Sequence, residues 1–267
     1  MSEVLLSPWD DVFVQLIRSA HTSADICAPF VNRGGTDLLL KDLTAQAHVR
    51  LLSSFNAAHF CGGYSDTRAF RDVLLRGGEV KNCQRLHAKI YLFDQTSAVV
   101  TSANLTNGGL RTNVECGVLL RDNETVAHLS EAFAQLWDDE ASGRIGSDTL
   151  DEIESIVRLL PRQAVRSRHM TPDAAVDIEE PELVLEGVET EILSSLSGWK
   201  HAVFEVLTGL DGIEFDLSDV YEFAPSLGQQ YPENTEVKAK IRQQLQMLRD
   251  RGLIRFLGEG RYRKLWV

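Results

Sequence analysis

Over residues 1–160 the chain alternates short apolar runs with segments of helical spacing, and this alternation narrows its fold more than any other feature. "DDVFVQLIRSAH" has apolar residues at helical spacing, whereas "ADICAPFV" is a short apolar run of the kind a buried strand shows. "TDLLLKDLTAQA" reads as helix, "HVRLLSSF" as strand and "DTRAFRDVLLRGG" as a helix closed by glycines. "EVKNC", "LHAKIYLFD", "SAVVTSA" and "VECGVLL" read as strands, and "ETVAHLSEAFAQLWDD" as a long amphipathic helix. Such interleaving predicts an α/β sandwich, a mixed sheet with helices on both faces.

The pattern stops at Pro161. Residues 161–187 hold three prolines, an acidic second half and no sustained periodicity, and read as an acidic linker. Helical spacing resumes after it, so the expected organisation is a first domain over 1–160, the linker, and a mainly α domain over 188–267.

The run "LHAKIYLFD" carries a chemical signal. As a strand it sets His87, Lys89 and Tyr91 on one face and Leu86, Ala88, Ile90 and Leu92 on the other. A lone His in such a run is ordinarily a satisfied core residue. A Lys on the same face argues against that, because an unpaired buried charge is costly. Imidazole and ammonium side by side suit a phosphate. Ser102 and Asn104 share a strand face further on, where Asn104 offers amide donors to the same anion. Glu115, within the next strand, is placed to accept a hydrogen bond from the imidazole and fix its tautomer.

His87-Ala88-Lys89, Asp94 after four intervening residues, and Thr101-Ser102-Ala103-Asn104 resemble the phospholipase D superfamily signature H-x-K-x4-D-x6-G-S-x-N. The spacing of 17 from His87 to Asn104, and of 28 to Glu115, resembles the compact bacterial nuclease branch. Thr101 stands where that family usually has Gly, a departure expected to alter packing rather than activity. The resemblance implies a phospholipase D-like sandwich whose catalytic residues are His87, Lys89, Ser102, Asn104 and Glu115, with Asp94 structural at the strand's end. It also implies a mechanism. One His attacks phosphorus to give a phosphohistidine, a second protonates the leaving alkoxide, and water then reverses the roles. Lys and Asn hold the non-bridging oxygens, so neither metal nor other cofactor is expected. The chain carries one such motif where the scheme needs two, which implies a homodimer sharing one site across a two-fold axis.

The C-terminal segment points to the substrate. "EFDLSDVYEFAPSLGQQYP" places an N-cap at Asp216 or Ser218 before a short helix. "ENTEVKAKIRQQLQMLRDRGLI" is a longer helix with Val237, Ile241, Leu245 and Leu248 at helical spacing, closed by Gly252. "IRFLGEGRYRKLWV" reads as a hairpin, giving the order of a winged helix-turn-helix. Lys238, Lys240, Arg242, Gln243, Gln244 and Gln246 lie off the apolar stripe, and the wing adds Arg261, Tyr262, Arg263 and Lys264. Arg and Gln suit base edges and Lys suits phosphate, so these residues are expected to contact double-stranded DNA. The segment resembles the helix-turn-helix domain of Dam-replacing proteins, found also in methyl-directed restriction enzymes.

Net charge is −12, which at first argues against nucleic acid. From Tyr231 to Val267, however, nine Lys or Arg face four acids, and salt screens the acidic remainder beyond about 10 Å. Apolar and charged fractions of 43% and 25% fit a soluble globular protein. The four cysteines form no C-x-x-C pair, the N-terminus lacks a basic signal region, and no apolar run approaches a membrane span. A cytoplasmic protein without a membrane partner is expected. The leading expectation is a metal-independent endonuclease of restriction type. A nonspecific nuclease of repair or anti-phage defence, and a DNA-binding regulator with an inactive nuclease fold, stand beside it; a lipid phospholipase is the weakest reading. Ser53, Ser54, Asn56 and His59 are expected along the DNA cleft, and Asp173–Glu186 as a shield for the active site.

Overall fold

The apolar runs become strands of one mixed sheet in the computed structural model, which describes residues 2–161, 164–168 and 182–267. Its elements are, in order, β1 (Ser2–Leu6), α1 (Asp10–Ser19), β2 (Ser23–Cys27), α2 (Arg33–Asp42), β3 (His48–Ser53), α3 (Ala57–Cys61), α4 (Thr67–Leu75), β4 (Glu79–Asn82), β5 (Ile90–Phe93), β6 (Ser97–Thr101), β7 (Cys116–Leu120), α5 (Asn123–Asp138), β8 (Gly143–Ile145) and α6 (Ser147–Leu159). A single π-type turn, Gly108–Thr112, lies between β6 and β7. The strands order as β1-β7-β6-β5-β2-β3-β4-β8. β2, β3 and β4 run parallel, and every other neighbouring pair is antiparallel.

Side-chain alternation divides the sheet's two faces as the sequence predicts. Leu86, Ile90, Leu92 and Ala98 pack with Cys27, Leu52, Val126, Phe133 and Trp137 in one core, with α5 supplying the last three. On the opposite face Tyr91 and Phe93 meet α1: Phe13 lies edge-on to Tyr91 at 5.6 Å and to Phe93 at 6.1 Å, and Trp9 edge-on to Tyr91 at 5.5 Å. Such pairs add about 0.5–1.5 kcal/mol each beyond their burial. The helices start where short polar side chains can cap them: Asn32 accepts from Gly35 N, Asp66 from Arg68 N and Asp122 from Thr125 N.

Some elements differ from expectation. β5 begins at Ile90 and β7 at Cys116, so His87, Lys89 and Glu115 lie just outside strands rather than within them. β1, β8 and α6 have no counterpart in the sequence reading. β1 is an edge strand with only Leu5 buried, so little in its composition marks it.

The chain divides into two compact units, one holding residues up to Phe55 together with Gly63–Leu150, the other Asn56–Gly62 together with Asp151–Val267. In the second, β9 (Val165–Arg168) and β10 (Glu182–Leu185) pair antiparallel within the stretch read as linker. The proposed shield falls largely on residues 173–181, outside the described residues. α3 belongs to this unit: Asn56 Nδ2 donates to Leu183 O at 3.4 Å and Ala57 N to Gly252 O at 3.3 Å. Then follow α7 (Glu189–Ser195), α8 (Gly198–Gly209), β11 (Glu214–Asp216), α9 (Leu217–Tyr221), α10 (Ala224–Gln230), α11 (Val237–Asp250), β12 (Ile254–Gly258) and β13 (Arg261–Lys264). The strands order as β11-β13-β12, all antiparallel, and complete a winged helix. α11 buries Ile241, Gln244, Leu245 and Leu248, and ends where Gly252, at φ +67°, lets Leu253 N reach back to Leu248 O.

Candidate active site and DNA-binding face

Because β5, β6 and β7 are antiparallel neighbours, the start of β5, the end of β6 and the start of β7 lie at one end of the sheet. The parallel strands β2, β3 and β4 have their carboxyl ends there as well, the usual place for a ligand in an α/β sheet. His87, Lys89, Ser102, Asn104 and Glu115 all fall on these ends.

His87 is exposed and Lys89 half-buried. Lys89 Nζ lies 3.2 Å from His87 Nε2 and donates to the His87 carbonyl at 2.9 Å. An ammonium can only donate, so in this contact Nε2 is the acceptor and its lone pair points at Lys89. The last ladder contact, Thr101 N to Lys89 O at 3.2 Å, holds this segment against the end of β6.

Asn104 is oriented from outside its own hairpin. Its Oδ1 accepts from Phe30 N at 3.0 Å, which leaves the Nδ2 group as the end of the amide that can donate to an anion. Its loop is braced by Asn32, whose N donates to Leu105 O at 3.1 Å and whose Oδ1 accepts from Asn107 N at 3.1 Å. Gly109 is required beneath it: a Cβ there would lie 2.4 Å from the Asn104 carbonyl oxygen. Tyr91, expected beside His87 and Lys89, is fully buried, and its hydroxyl donates to Ala103 O at 2.9 Å. Burial, then the charge of Glu115, pushes its phenol well above the ordinary range and keeps it a donor.

The carboxylate of Glu115 accepts from Ser102 Oγ and, at 3.1 Å, from Asn113 Nδ2. Its backbone is pinned by Ser7, whose Oγ accepts from Glu115 N at 2.9 Å. Phe30, Asn32, Asn113 and Ser7 escaped the sequence reading. Three of them are remote in sequence from the groups they hold, and a lone Asn in a loop carries no signal of its own.

Thr101 fits because its neighbour across the ladder is Gly117. A Cβ on Gly117 would lie 2.7 Å from Thr101 Cβ, so the Thr side chain occupies space that Gly117 leaves open. Its Oγ1 donates to Cys116 O at 3.1 Å and accepts from Ala103 N at 3.2 Å.

Asp94 stands at the opposite end of β5 from His87, about 23 Å of extended chain away. Asp94 and Gln95, at φ 52° and 56°, lie in the three-residue turn, residues 94–96, that joins β5 to β6. The carboxylate accepts from His21 N, Thr22 N, Ser23 N and Thr22 Oγ1 at 2.7–2.9 Å. Burial opposes its ionisation, but the bonds from His21, Ser23 and Thr22 prevail and hold its pKa at about 2. It clasps the loop between α1 and β2, at the other end of β5 from His87 and Lys89. Ser53, Ser54, Asn56 and His59 are buried, which corrects their placement along a cleft. Ser53 Oγ donates to Pro29 O at 3.0 Å, and Asn56 caps α3.

On the winged helix, Lys238, Arg242, Gln243, Gln246 and Arg261 are exposed and Lys240 is half-buried. Lys238 and Arg242 converge on Tyr221: the ammonium lies 5.0 Å from the ring centroid and the guanidinium donates to the hydroxyl at 2.6 Å. Three expected contacts are corrected. Gln244 is buried at 3% exposure, three residues after Ile241 on the apolar stripe. Tyr262 is buried and stacked on Phe215 at 5.4 Å. Lys264 is buried too and donates to Leu210 O at 2.6 Å, and burial lowers its pKa. Arg263 is paired with Glu214 in the neighbouring strand. Residue type alone put all four on the outer face; β13 alternation turns Tyr262 and Lys264 inward.

Residues 13–137 match the family described as "Cardiolipin synthase, PLD-like domain", and residues 195–264 match the "Dam-replacing HTH domain" family. The chain joins a phospholipase D-like domain to a Dam-replacing helix-turn-helix domain. Nuc from Salmonella typhimurium, a phospholipase D family member, is similar to this chain at 19% identity, over 55% of this chain and 99% of its own, with a TM-score of 0.47. NucT from Helicobacter pylori is similar at 13% identity, over 55% and 98%, with a TM-score of 0.39. Phosphatidylserine synthase of Haemophilus influenzae Rd KW20 is similar at 14% identity, over 54% and 40%, with a TM-score of 0.42. The phospholipase D-like domain thus contains the whole of the His87–Glu115 motif, and the helix-turn-helix domain contains α11 and the wing.

Proposed function

We propose that this protein is a metal-independent DNA endonuclease of restriction type, in which the phospholipase D-like domain cuts a site that the helix-turn-helix domain selects. The observation that carries this reading is the gathering of His87, Lys89, Ser102, Asn104 and Glu115 at one end of the sheet, in a chain that also carries a DNA-binding fold with an exposed basic helix.

The active unit is a homodimer sharing one site. The α5-side face of the sheet supports this where it runs out to β1. Val4 and Leu6 are 69% and 67% exposed there, beside the partly exposed Val100, and Val114 is fully exposed next to Glu115. Exposed apolar residues grouped next to a catalytic edge fit an isologous contact with a second copy. In the shared site His87 Nε2 of one subunit attacks phosphorus, and the P–O bond to the leaving alkoxide breaks. His87 of the other subunit gives that oxygen its proton. Water, deprotonated by the second imidazole, then displaces the first from phosphorus. Lys89 and Asn104 Nδ2 hold the non-bridging oxygens. Glu115, fixed by Ser102 and Asn113, is the acceptor that orients an imidazole in the assembled site.

Incubation with methylated and unmethylated plasmid DNA in excess EDTA tests the reading. Wild type should give discrete bands, and His87→Ala should lose about 10³-fold or more of the rate. A smear would indicate a nonspecific nuclease, and a mobility shift without cleavage a regulator. Strict dependence on magnesium would overturn the phosphohistidine route.

A further inference from the structure

We propose that Phe30 and Tyr64 form a stacking platform for a nucleobase of the substrate strand, beside the phosphate held by Asn104 and Lys89. The inference rests on the nucleic-acid reading above and specifies which part of the substrate this end of the sheet grips besides phosphate.

Phe30 is tied to the phosphate-binding amide, because its backbone N donates to Asn104 Oδ1 at 3.0 Å. Phe30 follows β2, whose last pair with β5 is Cys27 with Ile90, so it leaves the sheet at the end where His87 and Lys89 lie. The Tyr64 ring lies against Phe30, with centroids 5.7 Å apart and planes 35° apart. Tyr64 is 48% exposed, and among the described residues of this unit it is the one exposed aromatic. Its loop is braced: Val31 N donates to the buried Ser65 Oγ at 3.2 Å, and Asp66 N to Val31 O at 2.9 Å. A large ring left in water on a fixed backbone retains apolar area that a ligand can cover. Beside a phosphodiester site, the planar group that arrives with the phosphate is a nucleobase. Stacking on a ring is tolerant of sequence, so the platform would align the strand for cleavage and leave site selection to the winged helix.

The test compares Tyr64→Ala and Tyr64→Trp in the full chain, on a single-stranded oligonucleotide and on a fully abasic strand of equal length. Tyr64→Ala should raise KM for the base-bearing strand about 5- to 100-fold and leave the abasic strand unaffected, with Tyr64→Trp restoring the wild-type value. In a His87→Ala background, an oligonucleotide carrying 2-aminopurine should be quenched on binding, and Tyr64→Ala should abolish the quench. Equal losses on both strands, or loss of the dimer in light scattering, would overturn the platform and make Tyr64 a structural support. Tyr64-dependent quenching in a protein that cleaves no DNA would leave the platform standing and remove the nuclease reading. Cleavage and quenching both indifferent to Tyr64 would do the reverse.

Discussion

Thr101 and Gly117 make sense only as a pair. Thr101 occupies the space that Gly117 leaves open, so Gly117→Ala alone should overpack the ladder and cost about 1–3 kcal/mol. Adding Thr101→Gly should recover most of that in urea melts; a double variant no more stable than the single would show that the two do not share the space. Asp94 gives a pH signature of its own. Its folded pKa, about 2, lies below the usual carboxylate value, so its contribution is present above about pH 4 and is lost as pH falls toward 2. The stability difference between wild type and Asp94→Ala should therefore shrink between pH 4 and pH 2. A difference that stays constant across that range would mean that the carboxylate's charge is not what holds the loop between α1 and β2. At this scale the His-x-Lys spacing was legible because alternation in an extended segment forces both side chains to one face. The partners that aim them were not, since Phe30 and Asn104 are brought together only when β2 and β5 pair.

Across α11 and β13, exposure separates residues that composition does not. Arg242 is exposed and bonded to Tyr221, whereas Gln244 and Lys264 are buried. Arg242→Ala should leave the thermal midpoint nearly unchanged and reduce the slope of log K against log salt by about 1 if it meets a phosphate. Lys264→Ala should instead lower the midpoint, because it removes the donor held by the Leu210 carbonyl. Equal salt slopes in Arg242→Ala and wild type would remove Arg242 from the DNA contact. Helical spacing foretold α11 and its closing glycine. It did not foretell that Gln244, polar by type, sits on the buried stripe, because i+3 from Ile241 faces the core whatever residue stands there.

For the whole molecule the prediction concerns stoichiometry. If two His87 side chains serve one site, mixed dimers of wild type and His87→Ala are inactive, and full exchange at equal amounts leaves roughly one quarter of the activity. Independent sites would leave one half. Replacing Val4 and Leu6 by Asp should yield monomers in light scattering and lose cleavage together with the dimer. Active monomers would overturn the shared site.

The sequence by itself determined the alternation of elements, the two faces of β5, the order of the motif and the winged-helix plan, because these follow from local periodicity and turn chemistry. Tertiary structure alone decided which end of the sheet each motif residue occupies. It set Asn104 against Phe30, and it gave Asn56–Gly62 to the second unit. Those relations depend on strand order and on hydrogen bonds between residues tens of positions apart. No local pattern encodes them.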